Sequence, residues 1–294
     1  MSKKITTIIS GSDPNNFWML ENLCKNLNEL KLNDKVDINI IDIDLKLDQK
    51  KKISKLINSI IQIDWPIKLN FKTQNWKKLL LIRPFLKEVF PGYKNYIWLD
   101  SDTLVQNISF YKSFTTALNN KSLLICPELD ISYEFLNENK TFKKVFFDFY
   151  KPKGWVYKNN LKYFGKKFAI ENLSKPLFNA GVFCLRDTSN FWELWKEKYI
   201  NIVKRSDNDY CLNMDQASLN YLIFQNKSDV NFLDTKFNWL FKNCLPLLNK
   251  KTLKFHKNQI PNEEISILHY TQFNIRKKHT FLDLGYKKIK FKIL

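Results

Sequence analysis

Apolar and polar positions along the chain follow two periods: short, nearly continuous apolar runs suited to buried strands, and longer stretches with helical spacing. Ile5 to Ser10 and Asp37 to Asp42 read as strands, each followed by a segment in which apolar residues return every three or four positions. The first of these helices runs from Phe17 to about Leu32, and a basic amphipathic helix is predicted over Lys46 to Ile61. A short third strand is expected at Ile67 to Phe71. Trp76 to Phe90 has helical spacing in Trp76, Leu79, Leu80 and Arg83, but Pro84 lacks an amide donor and restricts the residue before it. The helix must kink or restart there, which sets Arg83 at an irregular point of the backbone.

Tyr96-Ile97-Trp98-Leu99, following the turn signal Pro91-Gly92, has the unbroken apolar character of a strand inside a parallel sheet. Ser122 to Glu128 and Leu177 to Leu185 are further buried strands. Helices follow at Phe191 to Val203, where Asn190 and Glu193 are spaced as a capping pair, and from Asn213-Met214-Asp215-Gln216 onward. Ile265 to Leu268 is the last strand of the pattern and is closed by His269. This alternation predicts an α/β fold, strands alternating with helices, as one domain over residues 1–270. Residues 130–175 break it with an aromatic helix, Phe142 to Tyr150, and a Lys-, Tyr- and Phe-rich run to Phe168. Because the pattern resumes at Leu177, this is a helical, aromatic insertion. Its aromatics suit a sugar face, an anionic acceptor or a local hydrophobic mini-core, and the mini-core is favoured because aromatic side chains bury area first. Residues 271–294 form a basic C-terminal tail in which lysines alternate with apolar residues. Such a tail suits either peripheral contact with anionic lipid or an edge strand whose lysines block aggregation.

Composition adds three constraints. With 294 residues, 44% of them hydrophobic and 15% aromatic, the chain can bury a large core and is not disordered. Its 48 Lys and Arg against 29 Asp and Glu give a net charge of +19, which attracts polyanions, although Lys, Asn, Ile and Phe are all abundant, as AT-rich codons make them. Five cysteines with no Cys-x-x-Cys spacing make neither a disulfide framework nor a zinc site. No apolar signal region follows Met1 and no uncharged apolar run approaches the length of a membrane span, so a cytoplasmic protein, peripheral at most on the inner membrane face, is expected.

The candidate chemistry sits at strand ends. Asp100 and Asp102 flank Ser101 just beyond the apolar run, so their carboxylates can converge on one point, where hard oxygen ligands suit Mg²⁺ or Mn²⁺. The other reading of an Asp-x-Asp is an ordinary polar turn. The loop Gly11-Ser12-Asp13-Pro14-Asn15-Asn16 joins first strand to first helix, a common place for nucleotides, but carries no Gly-x-Gly-x-x-Gly. Asn179, Ala180 and Gly181 leave room for a ligand near the backbone. Asp215 is either an N-cap or, with Gln216, a group facing a site at a helix N-terminus. His269 is one of three histidines and has no local partner that assigns it.

Leu99-Asp100-Ser101-Asp102, Phe178-Asn179-Ala180-Gly181-Val182, Asp215-Gln216-Ala217-Ser218-Leu219-Asn220 and Ile267-Leu268-His269-Tyr270 occur in the order seen in family 8 glycosyltransferases. The chain resembles these retaining enzymes of the GT-A fold, among them lipopolysaccharide galactosyl- and glucosyltransferases, from Ile5 to Tyr270, and the resemblance implies a Rossmann-like mixed sheet flanked by helices. The resemblance implies that Asp100, Asp102 and His269 bind Mn²⁺, which holds the diphosphate of a UDP-sugar, with Mg²⁺ as the alternative. It implies that Arg83 contacts donor sugar or phosphate, that Asn179 and Asp215 bond sugar hydroxyls, and that Gln216 lies beneath the anomeric carbon. Gly11 to Asn15 would be the nucleotide loop, with Ser101, Ala180 and Gly181 also lining the donor. The family follows its histidine with a Gly and a Lys-Pro-Trp; this chain has Tyr270-Thr271-Gln272 instead, which leaves Arg276 or Lys277 as substitutes for clamping phosphate. A hexose would pass to a glycan or lipid-linked saccharide. Two other readings compete: a basic nucleic-acid-binding α/β protein, although no nucleic acid is expected if the motifs are functional, and a GT-A nucleotidyltransferase.

Overall fold

The computed structural model describes residues 4–118, 121–128, 155–242, 244–258, 260–271 and 276–293. Its centre is a seven-stranded sheet of β1 (Thr6–Ser12), β2 (Asp37–Asp42), β3 (Ser59–Gln62), β4 (Asn95–Leu99), β6 (Leu123–Pro127), β7 (Phe178–Arg186) and β8 (Val230–Phe232), in the order β3-β2-β1-β4-β7-β6-β8. The strands are parallel except β7, which runs antiparallel to both neighbours. Alternate residues of each strand feed two cores. Tyr96, Trp98, Phe183 and Leu185 pack on one face and Ile97, Leu99, Val182 and Cys184 on the other, as the period of two along a strand requires. Burying an aliphatic or phenyl side chain completely is worth about 1.5–3 kcal/mol, and the continuous apolar runs read from the sequence are the strands buried on both faces.

Two smaller sheets complete the fold. β5 (Thr103–Val105) and β9 (Trp239–Leu240) flank β12 (Ile267–His269), while β10 (Leu247–Leu248), β11 (Phe255–His256), β13 (Lys278–Asp283) and β14 (Lys288–Lys292) make a sheet in the order β11-β10-β13-β14. A third core around Trp239, Phe241, Phe255, Leu268 and Phe281 joins them. The basic tail is therefore a hairpin. In β14 Lys288, Lys290 and Lys292 are exposed, whereas Ile289 and Phe291 pack against that third core.

Several expected elements differ. The helix expected over Lys46 to Ile61 covers only Leu47–Ile53, and its last part is strand β3. Asn58 makes the change, since its side chain accepts from the Ile38 amide at 2.7 Å and its own amide donates to the Ile38 carbonyl at 2.7 Å. The β-branched Ile60 and Ile61 then pair with β2. No strand forms at 67–71. Ile67, Leu69 and Phe71 do alternate onto the core, but β3 already forms the edge of the central sheet. Helix Phe191–Lys204 has no side-chain cap from Asn190; the Ser189 hydroxyl accepts from the Phe191 amide instead. The last predicted strand starts at Ile267, not Ile265. The expected break at Pro84 is present: helix Lys78–Leu81 ends, and a 3-10 turn Arg83–Phe85 precedes helix Leu86–Val89.

Of the insertion, helix Phe142 to Tyr150 lies outside the described residues. The remainder forms helices Trp155–Phe164 and Lys166–Glu171, joined by Gly165 at φ +88°, a conformation that costs glycine least. Phe164 stacks on Tyr221 of helix Asp215–Gln225 and Phe168 packs against the same ring at a tilt, at ring-centroid distances of 4.7 and 4.6 Å. All five cysteines are free and buried. None of the described helices is long and apolar enough to cross a membrane.

Candidate active site

Asp100 follows the last residue of β4, and the chain turns at once, with the Thr103 amide and hydroxyl both donating to the Asp100 carbonyl, at 3.1 and 2.8 Å. The turn leads into β5, whose antiparallel pairing sets Thr103 opposite His269. The Tyr270 amide donates to the Asp102 carbonyl at 2.9 Å and fixes the register. Strand pairing thus carries the imidazole to the carboxylates. One ligand atom from each of Asp100, Asp102 and His269 lies within 4.8 Å of the others. His269 Nε2 is 3.2 Å from Asp102 Oδ1 and 3.7 Å from Asp100 Oδ2.

A backbone donor fixes the tautomer of that histidine. Asn179 Oδ1 accepts the Gly181 N–H at 2.8 Å, so this atom is an oxygen; the Asn238 atom 3.0 Å from it must be the amide nitrogen. The remaining Asn238 atom is then an oxygen, and it lies 2.9 Å from His269 Nδ1, which must carry a proton. In the neutral ring Nε2 keeps its lone pair, aimed at the aspartates. Two carboxylates and a neutral imidazole form a donor set that suits a borderline cation such as Mn²⁺, and the outer hydrogen bond that orients a ligating histidine is already made. Burial alone would raise the Asp102 pKa, but His269 outweighs it and holds the carboxyl below its ordinary value; burial alone would lower His269, but Asp102 outweighs it and raises it.

Arg83 lies behind the pair, 94% buried. Its Nη2 donates to Asp100 Oδ1 at 2.6 Å and its Nη1 to Asp215 Oδ2, while the guanidinium carbon stands 5.3 Å from the Trp98 ring centroid. Trp98 Nε1 donates to the same Asp100 oxygen at 2.7 Å. Burial works against the Arg83 charge, yet the two carboxylates outweigh it and hold its pKa above the ordinary value. Burial raises the Asp215 carboxyl, an effect Arg83 opposes. Asp215 is therefore the first-turn partner of Arg83 and not a helix cap.

Gly181 is required by close approach. A Cβ there would fall on His269 Cε1 and come 2.6 Å from Asp100 Oδ2. Asn179 Nδ2 and Gln216 Nε2 both donate to Glu128 Oε1, at 3.0 and 2.9 Å, and Gln216 Oε1 accepts from the Ala180 amide at 3.2 Å. One network thus runs from His269 through Asn238 and Asn179 to Glu128 and Gln216.

Two cavities meet at Arg83 and Asp100. The first, about 620 Å³, contains Gly11, Ser12, Asp13, Ser101, Asp102 and Arg276. The second, about 400 Å³, contains Asn179, Asp215 and Gln216 together with Glu128, Asn159 and Asn160. Asn15 lines neither and belongs to a neighbouring surface groove. Ala180 and Gly181 are buried in β7. Arg276 stacks on Trp18, 3.8 Å from its ring centroid, at the first cavity, whereas Lys277 is exposed and lines neither. Asn238 and Glu128 were missed from the sequence: each is an isolated polar residue beside a strand, and only the pairing of β6 with β7 and of β9 with β12 gives them a role.

Solved structures share this architecture. The galactosyltransferase LgtC, in complex with donor and acceptor sugar analogs, is 15% identical with a TM-score of 0.54 over 90% of this chain and 86% of that one. The bifunctional glycosyltransferase WbbM is 16% identical with a TM-score of 0.56 over 95% of this chain and 48% of that one. Mouse xyloside xylosyltransferase 1 is 11% identical with a TM-score of 0.54 over 92% and 99%. No curated protein sequence matches the chain. The mixed sheet, flanked by helices and ending in an Asp-x-Asp turn, is that of a GT-A glycosyltransferase. The chain belongs to glycosyl transferase family 8, whose family model matches residues 17–274.

Proposed function

We propose that this glycosyltransferase moves a hexose from a UDP-sugar to a saccharide or lipid-linked glycan, with retention of configuration, and that Asp100, Asp102 and His269 hold Mn²⁺, with Mg²⁺ as the alternative. The observation that carries the reading is the meeting of these three side chains within 4.8 Å where two cavities join. A bound divalent cation would supply charge neutralisation for the departing diphosphate.

The chain's own groups divide the remaining work. Gly11, Ser12 and Asp13 border the nucleotide side of the first cavity, and Arg276, steadied by Trp18, offers a guanidinium to phosphate. The second cavity receives the sugar, whose hydroxyls meet Asn179 and Asp215, and the acceptor enters beside Glu128. Arg83 is a positioning residue that fixes Asp100 and Asp215 together. Gln216 is an amide and a weak nucleophile, and Asp215 is held by Arg83, so same-face attack by the acceptor is favoured over a covalent sugar intermediate. A structural neighbour was crystallised with both donor and acceptor sugar analogs, which supports a site that takes two sugars. A lipid-linked acceptor would bring the protein to a membrane surface, and its net charge of +19 suits anionic lipid.

The test is UDP release from a panel of UDP-sugars in the presence of Mn²⁺, Mg²⁺ or chelator. Slow, Mn²⁺-dependent hydrolysis of one donor, abolished in Asp102→Asn, is expected. Folded protein that neither binds nor turns over any UDP-sugar would overturn the proposal, and release of pyrophosphate would assign a nucleotidyltransferase.

A further inference from the structure

We infer that the outer face of the helix pair Trp155–Phe164 and Lys166–Glu171 docks on an anionic lipid bilayer. The inner faces of both helices are committed to the protein. Phe164 and Phe168 pack on Tyr221, while Val156, Asn159, Asn160 and Phe168 line the second cavity. Both outer faces consequently point away from helix Asp215–Gln225.

Those outer faces combine two properties. Leu161 and Ile170 on the helices, and Leu173 just past the end of the second, are 41%, 53% and 39% exposed, three of eleven such large apolar side chains among the described residues, gathered within one short stretch. Single exposed apolar residues are ordinary on a protein surface, but a cluster calls for a partner. Around them stand Lys158, Lys162, Lys166 and Lys167, all exposed and in no ion pair among the described residues, against the single acid Glu171. Apolar side chains among lysines that make no ion pair match the acyl boundary and anionic headgroups of a bilayer surface. The β13–β14 hairpin lacks this combination, since its Ile289 and Phe291 face the core and its strands expose mainly lysines, with only the Tyr286 ring at the tip. Charge alone suits any polyanion, whereas apolar side chains among charges select a membrane interface.

The helix pair also lines the cavity proposed for the acceptor, so docking would hold that cavity one helix layer from the bilayer. This consequence rests on the proposed function; the docking itself does not.

The test is flotation with vesicles of phosphatidylcholine alone or with phosphatidylglycerol added, with UDP-sugar hydrolysis measured on the same samples. Wild type is expected to float with the anionic vesicles only. Ile170→Asp with Leu173→Asp, and separately Lys162→Gln with Lys166→Gln, should each lower binding at least about tenfold with hydrolysis unchanged, while Lys290→Gln with Lys292→Gln should retain it. Should the aspartate variant lose hydrolysis through misfolding, the glutamine pair decides. Binding untouched by both helix-pair variants, or lost in the hairpin variant alone, would overturn the inference. So would equal flotation with neutral vesicles or none with either, and so would displacement by oligonucleotide insensitive to the apolar substitutions. Flotation as expected from a protein that hydrolyses no donor would leave the docking standing and remove the sugar-transfer reading.

Discussion

Asn238 Oδ1 lies 2.9 Å from His269 Nδ1, and through this contact a side chain that touches neither aspartate decides which imidazole nitrogen faces them. Asn238→Ala removes the acceptor and frees the ring to rotate or change tautomer. Mn²⁺ affinity, measured by calorimetry, is expected to fall about 10–100-fold, the usual effect of losing such a partner. The melting temperature should change far less than for a change at Arg83.

Gly181→Ala places a methyl group against His269 and the Asp100 carboxylate. Backbone on both sides is fixed by β7 pairing with β4, so the side chains must move. The expected cost is about 1–3 kcal/mol of stability, read by urea unfolding, together with loss of Mn²⁺ binding.

Arg83→Met leaves Asp215 buried without its counter-charge. Breaking a buried pair in this way costs about 3–5 kcal/mol, and replacing both partners by apolar groups restores much of it. Arg83→Met combined with Asp215→Leu should therefore unfold at a higher urea concentration than Arg83→Met alone, although neither is expected to transfer sugar.

Asp283 gives a pH dependence remote from the site. The Lys250 ammonium and the Lys287 and Gly285 amides hold its carboxyl below the ordinary value. The folded pKa lies under the unfolded one, so this contribution is present above the unfolded value and is lost as pH falls through the folded value. Amide hydrogen exchange in β13 and β14 should quicken across that acidic window, and Asp283→Asn should remove the dependence.

The elements legible in the sequence were those whose signal is local. Tyr96 to Leu99 could only be a buried strand, and Pro84 had to interrupt its helix. Lys46 to Ile61 misled because its lysines imitate the polar face of a helix while Ile60 and Ile61 serve a strand. Ile67, Leu69 and Phe71 alternate as a strand does but meet no further strand to pair with. In the candidate site the carboxylates could be seen at once, whereas the place of His269 came only from the order of motifs. Asn238 and Glu128 carry no local pattern at all; their neighbours are made by strand pairing between distant segments.

The pairing of β5 with β12 also has a consequence for synthesis. The two carboxylates emerge with β4, but the imidazole arrives only when β12 is added, after β8, the last strand of the central sheet, is made. A nascent chain stopped short of β12 would hold every strand of that sheet and still lack the third side chain of the proposed cation site, so that site is completed only after the sheet is.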